Sequence, residues 1–191
     1  ANTYSEFLVA SDNNIYQITD LGLLKSSNNG MTWINLDTDL KLNEVTDFEV
    51  GSEGQLLIIY KDKVRLSENE GYTWLDITNE LSSSVVTNLE VMASGMVLAA
   101  TENGAFRWDG NTSSWVKLNL NSESNNDVIL AFGEDGEGNI LVSGSSSGIS
   151  ISNNGGLTFS ALDLGISIGG ELSTITAIEL DSKANVWLGD S

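Results

Sequence analysis

The sequence predicts an all-β chain, a β-propeller built from four-stranded antiparallel blades. Three observations carry this. A polar, glycine-containing turn closed by threonine and an aromatic residue recurs as SSNNGMTW (26–33), SENEGYTW (67–74) and SNNGGLTF (152–159). Aligned on the closing aromatics, Trp33, Trp74, Trp115 and Phe159 stand 41, 41 and 44 residues apart, the spacing of repeats that each supply one blade. Between the turns, apolar and polar residues alternate with the period of strands, and no stretch shows a 3.6-residue amphipathic pattern.

The elements follow in order. Blade one covers about 1–40 and opens with two strands, SEFLVAS and NIYQIT. Blades two (41–79), three (80–121) and four (122–164) repeat a common text: VTDFEVGSEGQLLIIYKDKVRLS, VTNLEVMASGMVLAATENGAFRW and VILAFGEDGEGNILVSGSSSGISIS. Each contains an apolar stretch, a turn, a second apolar stretch, another turn and a third short stretch. The fourth strand starts at the closing aromatic, in TWINLD, TWLDIT, SWVKLN and TFSALD. The third turn is degenerate: WDGNTSSW keeps the final Ser-Trp, but Trp108 stands where the others have serine. ITAIELDSKANVWLGDS restarts the pattern, so 171–191 reads as a half-blade and 1–191 as one propeller region. Propellers protect their sheet edges by closing into a ring. The expectation is therefore an excerpt of a larger propeller, or one completed by another chain or segment.

Composition narrows the function. The 191 residues contain no Cys, His or Pro and 19 Gly. Disulfides, thiolate nucleophiles, imidazole bases and the usual zinc sites are thereby excluded. With 27 acids against 8 bases the net charge is −19. Such a chain repels phosphate backbones and anionic bilayers, so neither nucleic acid nor membrane is an expected partner. No apolar run approaches the ~20 residues of a spanning helix. ANTYSEF carries no signal-peptide pattern.

The turn resembles the Asp-box, or BNR repeat, Ser-x-Asp-x-Gly-x-Thr-Trp, known from sialidases, sortilin-type receptors, xyloglucan-degrading enzymes and photosystem assembly factors. The matching residues are Ser26, Asn28, Gly30, Thr32 and Trp33; Ser67, Asn69, Gly71, Thr73 and Trp74; Trp115 alone; and Ser152, Asn154, Gly156, Thr158 and Phe159. Each intact copy has Asn where the family usually has Asp. An amide oxygen accepts backbone N–H groups as a carboxylate does, so the turn is expected to survive the exchange. The resemblance implies that the boxes are structural clasps between strands three and four, with any ligand face at the opposite end of the blade. EDGEGNILVSG (134–144) and LDSKANVWLGDS (180–191) also resemble repeats of two-component-regulator propellers, which points to an exported or cell-envelope location.

Four acids are candidates for lining a central channel: Asp47 and Glu49, which share a face of one first strand, Glu90 on the next, and Glu179 on the half-blade. Two carboxylates could serve glycoside hydrolysis. The sialidase pattern of three arginines is not met, because the chain has only Arg65 and Arg107, both on third strands. Asp135, Glu137 and Asn139 alternate like part of a calcium loop, yet lack the glycine and distal glutamate of one and better suit a hairpin turn. Calcium is the single cofactor raised, no other being expected. The function read from the sequence is a non-catalytic, exported propeller module binding a protein or glycan partner through the interblade loops 37–45, 78–85, 119–127 and 163–174. The alternative is a glycan-cleaving, xyloglucanase-like propeller.

Overall fold

A computed structural model describes residues 6–9, 14–37, 40–41, 44–51, 54–120, 127–145, 148–162, 175–180 and 185–190. The loop 163–174 lies outside these residues, as do parts of 37–45 and 119–127. The chain divides into two compact units, Ala1–Asn79 and Glu80–Ser191.

The first unit holds two four-stranded antiparallel sheets. One runs β1 (Glu6–Val9), β2 (Ile15–Thr19), β3 (Gly22–Ser26), β4 (Ile34–Asp37); the other β5 (Val45–Val50), β6 (Leu56–Tyr60), β7 (Lys63–Ser67), β8 (Leu75–Asp76). Strands pair in sequence order, as short hairpin connections dictate. All five residues of β6, Leu-Leu-Ile-Ile-Tyr, are buried, which is why this strand reads as an unbroken apolar run: both faces of a second strand are covered. Tyr16 and Phe48 meet edge to face, with ring centroids 6.4 Å apart at 81°. Around them Ile18, Leu23, Leu40, Leu56 and Ile58 close the core.

The second unit begins with a 3-10 helix, Asn79–Ser83. It then forms β9 (Val86–Val91), β10 (Val97–Thr101), β11 (Gly104–Asp109) and β12 (Ser114–Lys117), and a further sheet of β13 (Ile129–Glu134), β14 (Ile140–Gly144), β15 (Gly148–Ser152) and β16 (Ser160–Ala161). β17 (Ile175–Leu180) and β18 (Val186–Asp190) pair as a two-stranded sheet. One core, containing Leu98, Leu118, Phe132, Val142 and Phe159, joins the two larger sheets. A second, of Ala131, Leu141, Ile149 and Ile178, joins β17 to the sheet before it.

The first strands share a device absent from the sequence reading. The pairing register slips by one residue between Val45 and Asp47, Ile129 and Ala131, and Ile175 and Ala177; in the β9–β10 pair the slip falls at the matching step, between Asn88 and Val86. Thr46, Thr87, Leu130 and Thr176 are thus left out of the register in four sheets. Such a bulge bends the strand and re-aims the residues that follow it. The residues it re-aims include every candidate channel acid.

Candidate functional site

The three intact boxes close with one hydrogen-bond pattern. In the first, Ser26 Oγ donates to Asn28 Oδ1 (3.0 Å) and accepts the Gly30 N–H (2.9 Å). Asn28 Oδ1 also accepts the Thr32 N–H (2.8 Å), and Asn28 Nδ2 donates to Thr32 Oγ1 (2.7 Å). Ser67, Asn69, Gly71 and Thr73 repeat these bonds at 3.0, 2.8, 2.9 and 2.9 Å. Ser152, Asn154, Gly156 and Thr158 repeat them at 3.0, 2.9, 3.0 and 2.7 Å. The turn needs two consecutive left-handed residues: φ is 56° and 81° at Asn29 and Gly30, 59° and 94° at Glu70 and Gly71, 68° and 79° at Gly155 and Gly156. The amide in place of a carboxylate has a chemical effect. Asn Nδ2 donates to the threonine hydroxyl, where a carboxylate could only accept from it, so the central side chain of the clasp carries no charge.

The closing aromatics differ in depth. Trp115 and Phe159 are buried, whereas Trp33 and Trp74 are half-buried. Trp33 Nε1 donates to Gly30 O at 3.0 Å. Trp74 lines an open groove of about 520 Å³ with Leu66, Glu68, Asn69, Thr73 and Leu75. In the degenerate third turn Trp108 is half-buried and stacks at a tilt on Trp115, with centroids 5.4 Å apart. There Asp109 Oδ1 accepts the Asn111 N–H, and hydrogen bonds from Thr112 and Asn111 hold its carboxyl below the usual range. Arg65 and Arg107 fall on β7 and β11, third strands of their sheets. Arg65 lies over the Tyr60 ring at 4.8 Å.

Glu49, Glu90 and Glu179 occupy one register position. Each pairs with the second residue of the next strand: Leu57, Leu98 and Trp187 respectively. The same position in β13 is Gly133, opposite Leu141. Asp47 lies two residues before Glu49 on the same face, and its Oδ1 accepts the Phe48 N–H at 3.0 Å. Glu49, Glu90 and Asp47 are half-buried, and Glu179 is exposed.

Asp135, Glu137 and Asn139 form a closed hairpin turn. Asp135 Oδ1 accepts the N–H groups of Glu137 and Asn139, both at 2.9 Å, and Oδ2 accepts Asn139 Nδ2 at 2.7 Å. Burial works to raise the Asp135 pKa, but these donors outweigh it and hold it below 3.8. Among the described residues no group of three or more acids is gathered to hold a metal ion.

Two anchoring interactions escaped the sequence reading. Lys25 on β3, its side chain 8% exposed, bonds Glu70 of the second box at 2.7 Å. Burial lowers its pKa, yet the Glu70 hydrogen bond and the neighbouring charges leave it above 10.5. Glu80, on the 3-10 helix, accepts the Trp115 N–H at 2.9 Å, which holds its carboxyl below the usual range. Partners this far apart in sequence leave no local pattern to read.

Comparison with solved structures follows from this architecture. YCF48 bound to D1 peptide superposes with TM-score 0.72 at 16% identity, covering 95% of this chain and 59% of that one. The fold is that of a β-propeller. The extracellular domain of a hybrid two-component system from B. thetaiotaomicron matches with TM-score 0.69 at 19% identity, over 97% of this propeller chain and 26% of that protein. The GH74 enzyme of Niastella koreensis matches with TM-score 0.67 at 16% identity, over 92% and 33%. The chain thus spans less than two thirds of each of these propellers. No protein-family model and no curated protein matches the sequence. Among the described residues no helix is long and apolar enough to cross a membrane.

Proposed function

We propose that this chain is a non-catalytic, exported propeller module that binds a protein partner along its first strands. The observation that carries the reading is the recurrence of Glu49, Glu90 and Glu179 at one register position, each just beyond a bulge. Each of these carboxylates, on a terminal strand of its own sheet, suits a partner segment carrying positive charge. The net charge of −19 favours the same encounter. The propeller likeness to YCF48, which is bound to a peptide, and to the extracellular domain of a hybrid two-component system supports both the class of partner and the location. A further chain or segment pairing with the edge of β18 belongs to the same proposal.

The test is capture from envelope extract by the chain and by an E49Q/E90Q/E179Q triple variant. A second triple variant, D20N/D62N/E102Q, removes equal charge from exposed positions elsewhere. Loss of capture with the first set but not the second is expected. Equal loss with both sets reduces the interaction to net charge and sinks the register argument.

The groove beside Trp74 favours a second reading, in which the partner is a glycan. An aromatic ring flanked by Glu68, Asn69 and Thr73 offers a sugar an apolar face and polar edges. A glycan array with a Glu68→Gln control decides it. Hydrolysis of xyloglucan oligomers that is lost in Asp47→Ala or Glu49→Ala would instead establish the glycan-cleaving alternative.

A further inference from the structure

We propose that Asn154 is a self-processing site, at which the third intact clasp drives deamidation of its own asparagine. Asn154 is the one box asparagine followed by glycine; Asn28 precedes Asn29, and Asn69 precedes Glu70. Deamidation begins when the following backbone nitrogen attacks the side-chain Cγ. A glycine at that place presents no Cβ to crowd the attack. Gly155 is exposed, and a Cβ built there meets nothing within 4 Å. The hydrogen bond to the box serine comes from Gly156 N at 2.9 Å, so the Gly155 N–H stands outside the clasp.

The clasp supplies the rest of the chemistry. Asn154 Oδ1 receives the Ser152 hydroxyl and the Thr158 N–H, both at 3.0 Å. Two donors converge on the oxygen that becomes negative as Gly155 N adds to Cγ, the arrangement that stabilises acyl-transfer intermediates. Asn154 Nδ2 lies 2.7 Å from Thr158 Oγ1, whose hydroxyl can pass a proton to the departing nitrogen and recover one from water. The Gly155 N–Cγ bond forms, the Cγ–Nδ2 bond breaks, and ammonia leaves. The proton lost by Gly155 N goes to solvent. One water then opens the succinimide. Cleavage at Cγ gives aspartate with the normal backbone; cleavage at the main-chain carbonyl gives isoaspartate. One water is consumed, one ammonia is released, and nothing is oxidised or reduced.

The chain contains its own controls. Asn28 and Asn69 have the same clasp without the glycine. Asn29 and Asn103 have the glycine without the clasp. The Gly30 N–H is engaged by Ser26 at 2.9 Å, and Gly104 is buried opposite Thr101 at the start of β11. Either outcome at Asn154 leaves a mark. Aspartate installs the residue usual in the box family, and isoaspartate lengthens the main chain inside a turn that needs two left-handed residues in succession.

The experiment is peptide mapping by mass spectrometry after incubation of the folded chain at mildly alkaline pH, beside a sample in denaturant. Fragment ions separate Asn154 from Asn153, and the readout is the fraction of each amide converted to acid. In denaturant Asn29, Asn103 and Asn154 are expected to convert at similar rates. In the folded chain Asn154 is expected to keep or exceed that rate while Asn29 and Asn103 fall several-fold and Asn28 and Asn69 stay amidated. A Gly155→Asn variant, which copies the Asn28–Asn29 pair of the first box, is expected to stop conversion while keeping the melting temperature. Folded-state conversion of Asn29 or Asn103 as fast as Asn154, protection of Asn154 relative to denaturant, or undiminished conversion in Gly155→Asn overturns the proposal.

Discussion

Ile178 occupies the space that a side chain on Gly133 would need. A Cβ built on Gly133 would lie 2.2 Å from Ile178 Cγ2 and 2.9 Å from Ile178 Cβ. The glycine is required by proximity here, because its φ is not in the left-handed region. It also explains why the acid at this register position in β5, β9 and β17 is missing from β13. Gly133→Ala is expected to cost about 1–3 kcal/mol, the range for overpacking a closed interior. Gly110→Ala, where nothing lies within 4 Å, is the matched control and is expected to stay within about 0.5 kcal/mol of wild type. Urea denaturation monitored by tryptophan fluorescence measures both.

The Lys25–Glu70 pair links the third strand of one sheet to the clasp of the next. Glu70→Gln leaves a buried ammonium with a weaker acceptor and is expected to lower stability by about 1–2 kcal/mol, discounted because Glu70 is partly exposed. The folded pKa of Lys25 lies above its ordinary 10.5. Its contribution is therefore complete below that value and is lost as pH rises through the folded pKa. Melting curves should show a constant gap between wild type and variant from about pH 6 to 9, closing only in strong alkali.

The clasps should be insensitive to acid, because their central side chain is an amide. Asn28→Asp is expected to fold normally at neutral pH, with the threonine hydroxyl turning to donate. Its carboxylate would accept from Ser26, the Thr32 N–H and the Thr32 hydroxyl, so its folded pKa falls below the unfolded value of about 3.9. The stability so added is present above that pKa and is lost as pH falls through the folded one. Asn28→Ala removes the acceptor outright and should cost about 1–2 kcal/mol at every pH. Stability measured against pH separates the two variants, and an acid-dependent loss in the wild-type clasp would falsify the account.

Asp135 already behaves in that acid-sensitive way. Its depressed pKa means that its turn bonds are fully made above about pH 3.8 and weaken below it. Asp135→Ala is expected to cost about 1 kcal/mol near neutral pH, a modest figure because the turn is only partly buried. Because both its oxygens are engaged by turn donors, calcium and EDTA are expected to leave the melting temperature unchanged. A calcium-dependent rise abolished in Asp135→Ala would show that the ion displaces those donors.

The parts of this structure that were legible in the sequence are those made by neighbours. Ser26, Asn28, Gly30 and Thr32 close their turn within seven residues, so spacing alone revealed the clasp, its copies and the four-strand period. The bulge at Thr46, Thr87, Leu130 and Thr176 was hidden because a skipped residue keeps the apolar alternation on either side of it. The Lys25–Glu70 and Glu80–Trp115 bonds join residues 45 and 35 positions apart. The candidate acids were found by residue type, but their common register emerged only from the strand pairing. The depth of Trp33 and Trp74 is not legible in the motif, since a half-buried indole and a buried one occupy the same letter.

The serine, asparagine and threonine side chains of each clasp bond to one another and to their own turn within a single hairpin. Such a unit carries its closure with it when a stretch of gene is copied or deleted. Repeats of this kind can change in number while each new member folds on local instructions, leaving only the residues at its flanks to be re-fitted. The Gly133–Ile178 contact is such a flanking fit. In the degenerate turn a Trp108–Trp115 ring contact stands where the other copies have the serine clasp.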